Sequence, residues 1–205
     1  FIFDHAYLLH DFLPSANQTP TWELAQSIGA DDQAAVFCSF SKVTFGGGGL
    51  AFAAAGKKLF NLLSRQRASM IVCPDKVNQM RHLEFLRDKE GVLEHMKKHA
   101  DIVRPKFEVA FDALDVLSSE IGNYQKPTGG YFISYDAKRP IAKRVIELCK
   151  DLGVLITPAG STYPHFHDPL DSNIRLAPTF LGVEDLQDAM EVFVTAIMIA
   201  HQELD

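Results

Sequence analysis

The stretch "AAVFCSFSKVTFGGGG", residues 34–49, joins an apolar run to a lysine and four consecutive glycines. The run at 34–38 is typical of a buried strand, and polar residues begin where that strand is predicted to end. In open α/β sheets, ligands bind beyond the carboxyl ends of the strands. Lys42 is therefore either an exposed loop lysine or a nucleophile held close to a bound group, and the remaining sequence decides between them.

The composition limits the classes of protein to which the chain can belong. Its 205 residues are 47% hydrophobic and 22% charged, which is ordinary for one large globular domain or two smaller ones. A net charge of −6 argues against nucleic acid or an anionic membrane as the main partner. No uninterrupted apolar run approaches ~18 residues, so no transmembrane helix is predicted.

The cysteines and the first residues indicate the cellular setting. Cys38, Cys73 and Cys149 are odd in number and widely spaced, which is typical of reduced thiols in a cytoplasmic protein. The chain begins without Met and without the basic segment of a signal peptide. Its apolar start at 1–3 is typical of a strand inside a fold, so we expect the chain to be a piece of a longer protein.

Apolar runs and turn residues predict an α/β arrangement in the first part of the chain. Strands are expected over 1–4, 34–42 and 49–56, and the first two are expected to be buried. A short helix over 22–29 is expected to end at Gly29.

The next segment is predicted to be helical. One helix is expected over 57–70, and a second over 75–88 has Asp75 as its candidate N-cap. The apolar face of this second helix is predicted to consist of Val77, Met80, Leu83 and Leu86. A third helical stretch, from about 91 to 121, contains Pro105, where we expect a kink or a break.

The last part of the chain is predicted to be α+β. Strands are expected over 129–136 and 173–180, and a further strand leading into a loop is expected over 154–160. Helices are expected over 142–153 and 183–204, the second with acidic residues in its first turn.

Polar residues at the ends of predicted strands are the candidates for chemistry. Asp4 and Tyr7 follow the first strand, Ser39 and Lys42 follow the second, and Arg175 lies in the last. Each is weak alone, since such residues commonly serve as turn, surface or ion-pair residues. Because ligands bind at the carboxyl edge of such sheets, Asp4 and Lys42 are expected to face one crevice.

Four short motifs match a known arrangement when they are taken together. They are "DHAY" at 4–7, "SFSK" at 39–42, "PTGGYF" at 127–132 and "NIRLAP" at 173–178. Their order and approximate spacing resemble those of the fold-type I pyridoxal-phosphate enzymes, and the chain resembles the class I/II aminotransferases. The resemblance covers essentially all 205 residues and corresponds to the second half of such a subunit.

The resemblance implies a fold and an assembly. Residues 1–90 would be the C-terminal part of the cofactor-binding large domain, which is a mostly parallel sheet with helices. Residues 91–205 would form the small C-terminal α+β domain. The full-length protein would be a homodimer whose sites are completed across the dimer, so the isolated piece is expected to be inactive.

The resemblance also implies roles for the candidate residues toward pyridoxal 5′-phosphate. Lys42 would form the Schiff base with the cofactor and move a proton during catalysis. Asp4 would keep the pyridine nitrogen protonated by opposite-charge stabilisation, and Tyr7 would bond the phenolic oxygen. Ser39 and Ser41 would donate hydrogen bonds to the phosphate.

Arg175 would bind the α-carboxylate of the substrate in the bidentate geometry of a guanidinium group. The reaction implied is transfer of an amino group between an amino acid and a 2-oxo acid. The glycine run resembles a divergent bacterial branch of the aspartate aminotransferases, which makes aspartate the candidate amino donor.

One position departs from the family pattern. Many relatives carry an arginine seven or eight residues after the lysine as a phosphate anchor, whereas this chain has Gly49 and Leu50 there. Backbone N–H groups of the glycine run could hold the phosphate in a nest instead, or the first half of the subunit could supply other donors.

Two other functions are compatible with the same residues. An aminotransferase-like domain can serve as the cofactor-sensing part of a transcription regulator, and the same scaffold can carry other reactions such as β-elimination. No metal site is predicted. The pair His165 and His167 in "HFHDPLD" lies in a proline-containing loop without a third ligand at standard spacing.

Overall fold

The computed structural model describes residues 1–13 and 20–205, and it divides into two compact units. The first unit is Phe1–Ala100 and the second is Asp101–Asp205. The division lies within one long helix, Lys89–Leu114. The assignment of residues 1–90 and 91–205 to two family domains remains a prediction.

The first unit contains a sheet in the order β1 (Ile2–Asp4), β2 (Ala35–Ser39) and β3 (Ala51–Ala55). Strands β1 and β2 are parallel, with Asp4 opposite Phe37, whereas β3 is antiparallel to β2. The parallel pairing brings the carboxyl ends of β1 and β2 to the same edge, as the sequence predicted.

Helices α1 (Thr21–Ser27), α2 (Lys57–Met70) and α3 (Lys76–Leu86) complete the first unit together with the start of α4 (Lys89–Leu114). The predicted caps are confirmed. Gly29 follows α1 with a φ of +66°, and the Asp75 carboxylate accepts a hydrogen bond from Asn78 N at 2.9 Å.

Burial in the first unit differs from the prediction. Phe1 and Ile2 are 80% and 77% exposed, so β1 is not a buried strand in this chain. The predicted apolar face of α3 is buried only at Leu86. Val77, Met80 and Leu83 are exposed, and His82, which was not predicted, is buried. Helix periodicity marks an apolar stripe, but burial requires another layer against it.

The second unit contains a sheet in the order β4 (Gly122–Tyr124), β5 (Ile133–Ala137) and β6 (Asn173–Leu176), in which both pairings are antiparallel. Burial alternates along β5, where Ile133, Tyr135 and Ala137 are buried. This alternation is what an antiparallel strand with one face on a core requires.

Helices α5 (Ala142–Asp151) and α6 (Val183–Gln202) supply most of the other core residues of this unit. Helix α5 is followed by Gly153, with a φ of +86°. Helix α6 buries Leu186, Met190, Phe193, Val194, Ala196, Ile197 and Ala200.

Two further predictions fail in or near this unit. Helix α4 continues through Pro105, so the predicted break is wrong. A proline at a helical position removes one backbone donor, and the packing of Val103 and Phe107 in the core can outweigh that loss. Residues 154–160 do not form a strand, because their backbone joins no strand ladder, and β4 was not predicted.

Among the residues that the structure describes, no helix combines the length and the apolar character needed to cross a membrane. Cys38, Cys73 and Cys149 are all free thiols.

Candidate active site

The carboxyl ends of β1 and β2 carry five of the six predicted site residues. Asp4 is the last residue of β1, and its Oδ1 accepts a hydrogen bond from Ala6 N at 3.0 Å. The next residue, His5, donates its backbone N–H to Phe37 O of β2 at 2.7 Å. This bond keeps the chain beside β2 as it leaves the sheet, so the segment that carries Tyr7 begins at the same edge.

Lys42 lies in a tight turn that follows β2. The carbonyl oxygen of Phe40 accepts hydrogen bonds from Val43 N and Thr44 N at 3.0 and 2.9 Å. The Lys42 side chain reaches back over Tyr7, with its Nζ 5.2 Å from the centre of the phenol ring. A cation at this distance from an aromatic face is attracted to it, so the structure brings the predicted nucleophile and the predicted ring-binding tyrosine together.

Ser39 and Ser41 form a hydroxyl pair at the end of β2. Ser39 Oγ donates to Ser41 Oγ at 2.9 Å, and Ser41 N donates to Ser39 Oγ at 3.1 Å. In this orientation the proton of the Ser39 hydroxyl is used within the pair. The Ser41 hydroxyl keeps its own proton available for an anion.

The glycine run lies directly against this hydroxyl pair. A Cβ at Gly49 would collide with the backbone nitrogen and Oγ of Ser41. Gly47 has a φ of +80°, a conformation that favours glycine. With this backbone a side chain is excluded at position 49, whereas position 50, the other place where many relatives carry the arginine, already holds a leucine side chain.

The Asp4 carboxylate lies close enough to β2 to affect a residue of that strand. The pKa of the Cys38 thiol is raised by burial and, to a smaller extent, by the negative charge of Asp4. Cys38 is the residue before Ser39, so the Asp4 charge lies close to the end of β2 that carries the hydroxyl pair.

Arg175 lies in β6 of the second unit, where it pairs in register with Ser134 of β5. Its guanidinium carbon lies 4.8 Å from the centre of the Phe132 ring. Its Nε is buried and has no hydrogen-bond partner among the described residues. The Arg175 residue also borders a cavity of about 110 Å³, which is lined in part by Leu186, Met190 and Phe193. An unpaired buried guanidinium nitrogen is costly unless a ligand completes it.

The "HFHDPLD" segment uses its aspartate to organise a loop. The Asp168 carboxylate accepts hydrogen bonds from Leu170 N, Ser172 N and Asn173 N at 2.9, 2.8 and 2.9 Å. Burial alone would raise the pKa of Asp168, but these backbone donors outweigh it and hold the pKa below its ordinary value. No group of three or more metal-ligating side chains occurs within residues 1–13 and 20–205.

Sequence reasoning missed three histidines that bond the lysine turn, His10, His82 and His95. Each bonds a residue 32 to 52 positions away in the chain, so no local spacing could indicate it. His5, the residue after Asp4, lies 3.1 Å through its Nε2 from the hydroxyl of Thr21.

The family of the chain follows from comparison with known proteins. The family described as aspartate amino-transferase matches residues 1–204. The chain belongs to this family. The resemblance drawn from the four motifs is thereby confirmed, as is the expectation of an aminotransferase fold.

Individual members of the family show the same likeness. The aspartate aminotransferase of Corynebacterium glutamicum is 35% identical over a matched length of 205. The match covers 98% of this chain and 48% of that protein. A crystal structure of an aspartate transaminase from C. glutamicum superposes with a TM-score of 0.92 at 34% identity, covering 98% of this chain and 48% of that one.

A more distant structure adds a bound ligand. The α-aminoadipate aminotransferase LysN of Thermus thermophilus, complexed with N-(5′-phosphopyridoxyl)-L-leucine, has a TM-score of 0.80 and 25% identity. The match covers 98% of this chain and 50% of LysN. The chain spans about half the length of the curated relatives that it matches.

Proposed function

We propose that this chain is the C-terminal half of a pyridoxal-phosphate-dependent aminotransferase that moves an amino group between an amino acid and a 2-oxo acid. The observation that carries the proposal is the position of the Lys42 amine over the Tyr7 ring at the carboxyl edge of β1 and β2. Membership of the aspartate amino-transferase family supports it.

The residues at this edge suit the parts of pyridoxal phosphate. The phosphate requires hydrogen-bond donors, and the Ser41 hydroxyl, whose proton is not used within the Ser39–Ser41 pair, supplies one beside a backbone that Gly49 keeps free of side-chain atoms. The pyridine nitrogen requires a carboxylate beside it to stay protonated, and Asp4 supplies that carboxylate. The aldehyde requires a primary amine, which only Lys42 supplies in the segment 34–49.

Bound pyridoxal phosphate supplies an electron sink that stabilises negative charge at the carbon bearing the substrate amino group. Asp4 holds a proton at the pyridine nitrogen, because its negative charge favours the protonated ring. Tyr7 would hold the cofactor by donating a hydrogen bond from its hydroxyl to the phenolic oxygen of the cofactor ring.

Lys42 has two tasks in this proposal. Its ε-amine would hold the cofactor at the aldehyde carbon, with loss of water. As a free amine it would be the base that takes up and returns a proton at the substrate Cα. Contact with the face of Tyr7 keeps the amine close to the ring during both tasks.

Arg175 is the proposed site for the α-carboxylate of the substrate. A guanidinium group offers two parallel N–H donors that match a carboxylate, and its Nε is already buried without a partner among the described residues. The Phe132 ring, whose centre lies 4.8 Å from the guanidinium carbon, provides an attractive aromatic contact that helps to hold the group in place.

Aspartate is the proposed amino donor, because the C. glutamicum relative is named an aspartate aminotransferase. A homodimer and a cytoplasmic location complete the proposal. Both were predicted from the family resemblance and from the composition of the chain.

A panel of amino acids tests the reaction directly. The full-length protein carrying this segment, supplied with pyridoxal phosphate and 2-oxoglutarate, should convert aspartate to oxaloacetate with equimolar formation of glutamate. Pyruvate and ammonia from serine or cysteine, without glutamate, would indicate β-elimination instead. Absence of any amino-group transfer across the panel would contradict the proposed function.

A further inference from the structure

Three histidines from three parts of the first unit bond three consecutive residues of the lysine turn. His10 Nε2 lies 3.1 Å from Lys42 O, and His95 Nε2 lies 2.7 Å from Val43 O. His82 Nε2 lies 2.7 Å from the Thr44 hydroxyl. A carbonyl oxygen can only accept, so His10 and His95 carry their proton on Nε2 and donate it. We name His10, His82 and His95 the histidine cradle.

Each member of the histidine cradle is itself held in place. His82 donates through Nδ1 to Asn78 O, one turn earlier in α3, at 2.9 Å. The His95 ring on α4 packs edge-on against Phe85 of α3, with ring centres 5.2 Å apart. The His10 ring packs edge-on against Tyr7, with ring centres 5.3 Å apart. The turn is therefore tied to α3, to α4 and to the segment that carries Tyr7.

Two members of the cradle are buried, whereas His95 is half-buried. His10 and His82 are each only 3% exposed. Burial lowers the pKa of His10 most, and the positive charge of Lys42 lowers it further. The carbonyl groups of Lys42 and Tyr7 and the charge of Asp11 act in the opposite direction.

His99 also faces His10, with ring centres 5.4 Å apart. Its pKa is lowered by burial first and then by His10 and His95. The lowered pKa favours the neutral form of the His10 ring, which can still donate through Nε2 to Lys42 O.

We propose that the histidine cradle positions Lys42, holding the backbone of residues 42–44 so that the lysine amine stays over the Tyr7 ring. This inference rests on the proposed function of Lys42. A lysine side chain is long and flexible, so the position of its amine depends on how firmly the backbone that carries it is held. Misplacement of a reacting group by about 1 Å can cost about 100-fold in rate. The histidines are positioning residues, because their bonds reach the turn and not the amine.

The test compares two substitutions at His95 in the full-length protein. His95→Phe keeps a ring of similar shape and removes the donor, whereas His95→Gln places an amide N–H near the position of Nε2. The same pair at His10, His10→Phe and His10→Gln, repeats the comparison at Lys42 O. His201→Phe, in α6 of the second unit, is the control for replacing a histidine ring elsewhere.

Two readouts are expected to separate the variants. In the cofactor-free protein, amide hydrogen exchange over residues 40–45 should accelerate about tenfold in His95→Phe, roughly the loss of one hydrogen bond. In the loaded protein, kcat should fall about tenfold to 100-fold while KM changes little. His95→Gln should recover most of both losses, and His201→Phe should change neither.

The outcomes distinguish this inference from the proposed function. If amide hydrogen exchange over residues 40–45 and kcat are both unchanged in the two Phe variants, and Lys42 still carries cofactor, the positioning role of the cradle is wrong although the proposed function stands. Gln variants that lose as much kcat and as much Tm as the Phe variants would also overturn it, because the loss would then reflect folding rather than the donor. Wild-type protein without cofactor on Lys42 would instead overturn the proposed function, and the purpose of the cradle with it.

Discussion

The two units of this chain bury their apolar residues to very different extents. In the second unit, α6 alone buries seven residues, and β5 alternates buried and exposed positions along its length. In the first unit, α2 buries none of its residues, and four of the five residues of β3 are exposed. The unit that buries fewer apolar residues is also the one that carries five of the six predicted site residues.

The difference shows what each unit contains within its own residues. The second unit has a core formed by a sheet and helices. The first unit buries residues around the lysine turn, among them Val43, His82 and Leu86, but it leaves the apolar residues of α2 and β3 largely uncovered. Since the chain spans about half the length of its relatives, we expect those faces to be covered in the full-length protein.

Phenylalanines from the two units provide the largest expected contrast in stability. Phe193 is 1% exposed and Phe52 is 49% exposed. In the 205-residue chain, Phe193→Ala should lower the free energy of unfolding by about 3–5 kcal/mol, since it empties a closed core. Phe52→Ala should cost about 1 kcal/mol or less. Urea denaturation followed by circular dichroism measures both, and equal losses would contradict the contrast.

Arg175 is the exception to the concentration of site residues in the first unit. Arg175→Ala should lower kcat/KM for amino-acid substrates about 30-fold or more, equivalent to about 2 kcal/mol for losing a charged hydrogen-bonded pair. Arg175→Lys keeps the charge and should recover only part of the loss, because an ammonium group cannot form the bidentate pair. If Arg175→Ala has wild-type kinetics, the residue serves only the fold of the second unit.

The glycine run tests whether the hydroxyl pair depends on close packing. Gly49→Ala should destabilise the first unit by about 1–3 kcal/mol and weaken cofactor binding, since the new methyl group would collide with Ser41. Gly46→Ala is the matched control, because no atom lies within 4 Å of the added Cβ. Thermal unfolding and cofactor titration give the comparison, and equal effects at both glycines would show that the packing against Ser41 is unimportant.

Asp168 should make the stability of the second unit depend on pH. Its pKa is lowered in the folded state, so its contribution is present above the unfolded pKa of about 3.9 and is lost as pH falls through the folded value. Asp168→Asn should cost about 1–2 kcal/mol at pH 7, and the difference from wild type should shrink below about pH 4. Asp151→Asn, at the exposed end of α5, is the control for replacing a carboxylate with an amide elsewhere in the same unit. A pH-independent cost at Asp168 would contradict its role as an ionised acceptor.

Local signals predicted the features that depend on neighbouring residues. The cap at Asp75, the helix ends near Gly29 and Gly153, and the parallel edge with Asp4 and Lys42 all follow from spacing within a few residues or from strand order. The four motifs added the family, because their order along the chain is characteristic even where each motif alone is weak.

Features that depend on distant packing could not be predicted. The exposed face of α3 and the continuity of α4 at Pro105 are decided by what packs against each helix. The histidine cradle joins His10 and His95 to a turn more than thirty residues away from either, as the separations of 32 and 52 positions show. The glycine at position 49 was visible in the sequence, but its close packing against Ser41 required the structure.

The most direct test of the central claim is to locate the cofactor on the chain. The full-length protein is loaded with pyridoxal phosphate, reduced with borohydride, digested and mapped by mass spectrometry, alongside Lys42→Ala and the control Lys150→Ala. We expect the added mass on the peptide containing Lys42 in wild type and Lys150→Ala, and on no peptide in Lys42→Ala. Attachment at another lysine, or equal labelling in Lys42→Ala, would contradict the assignment of Lys42 as the cofactor-binding residue.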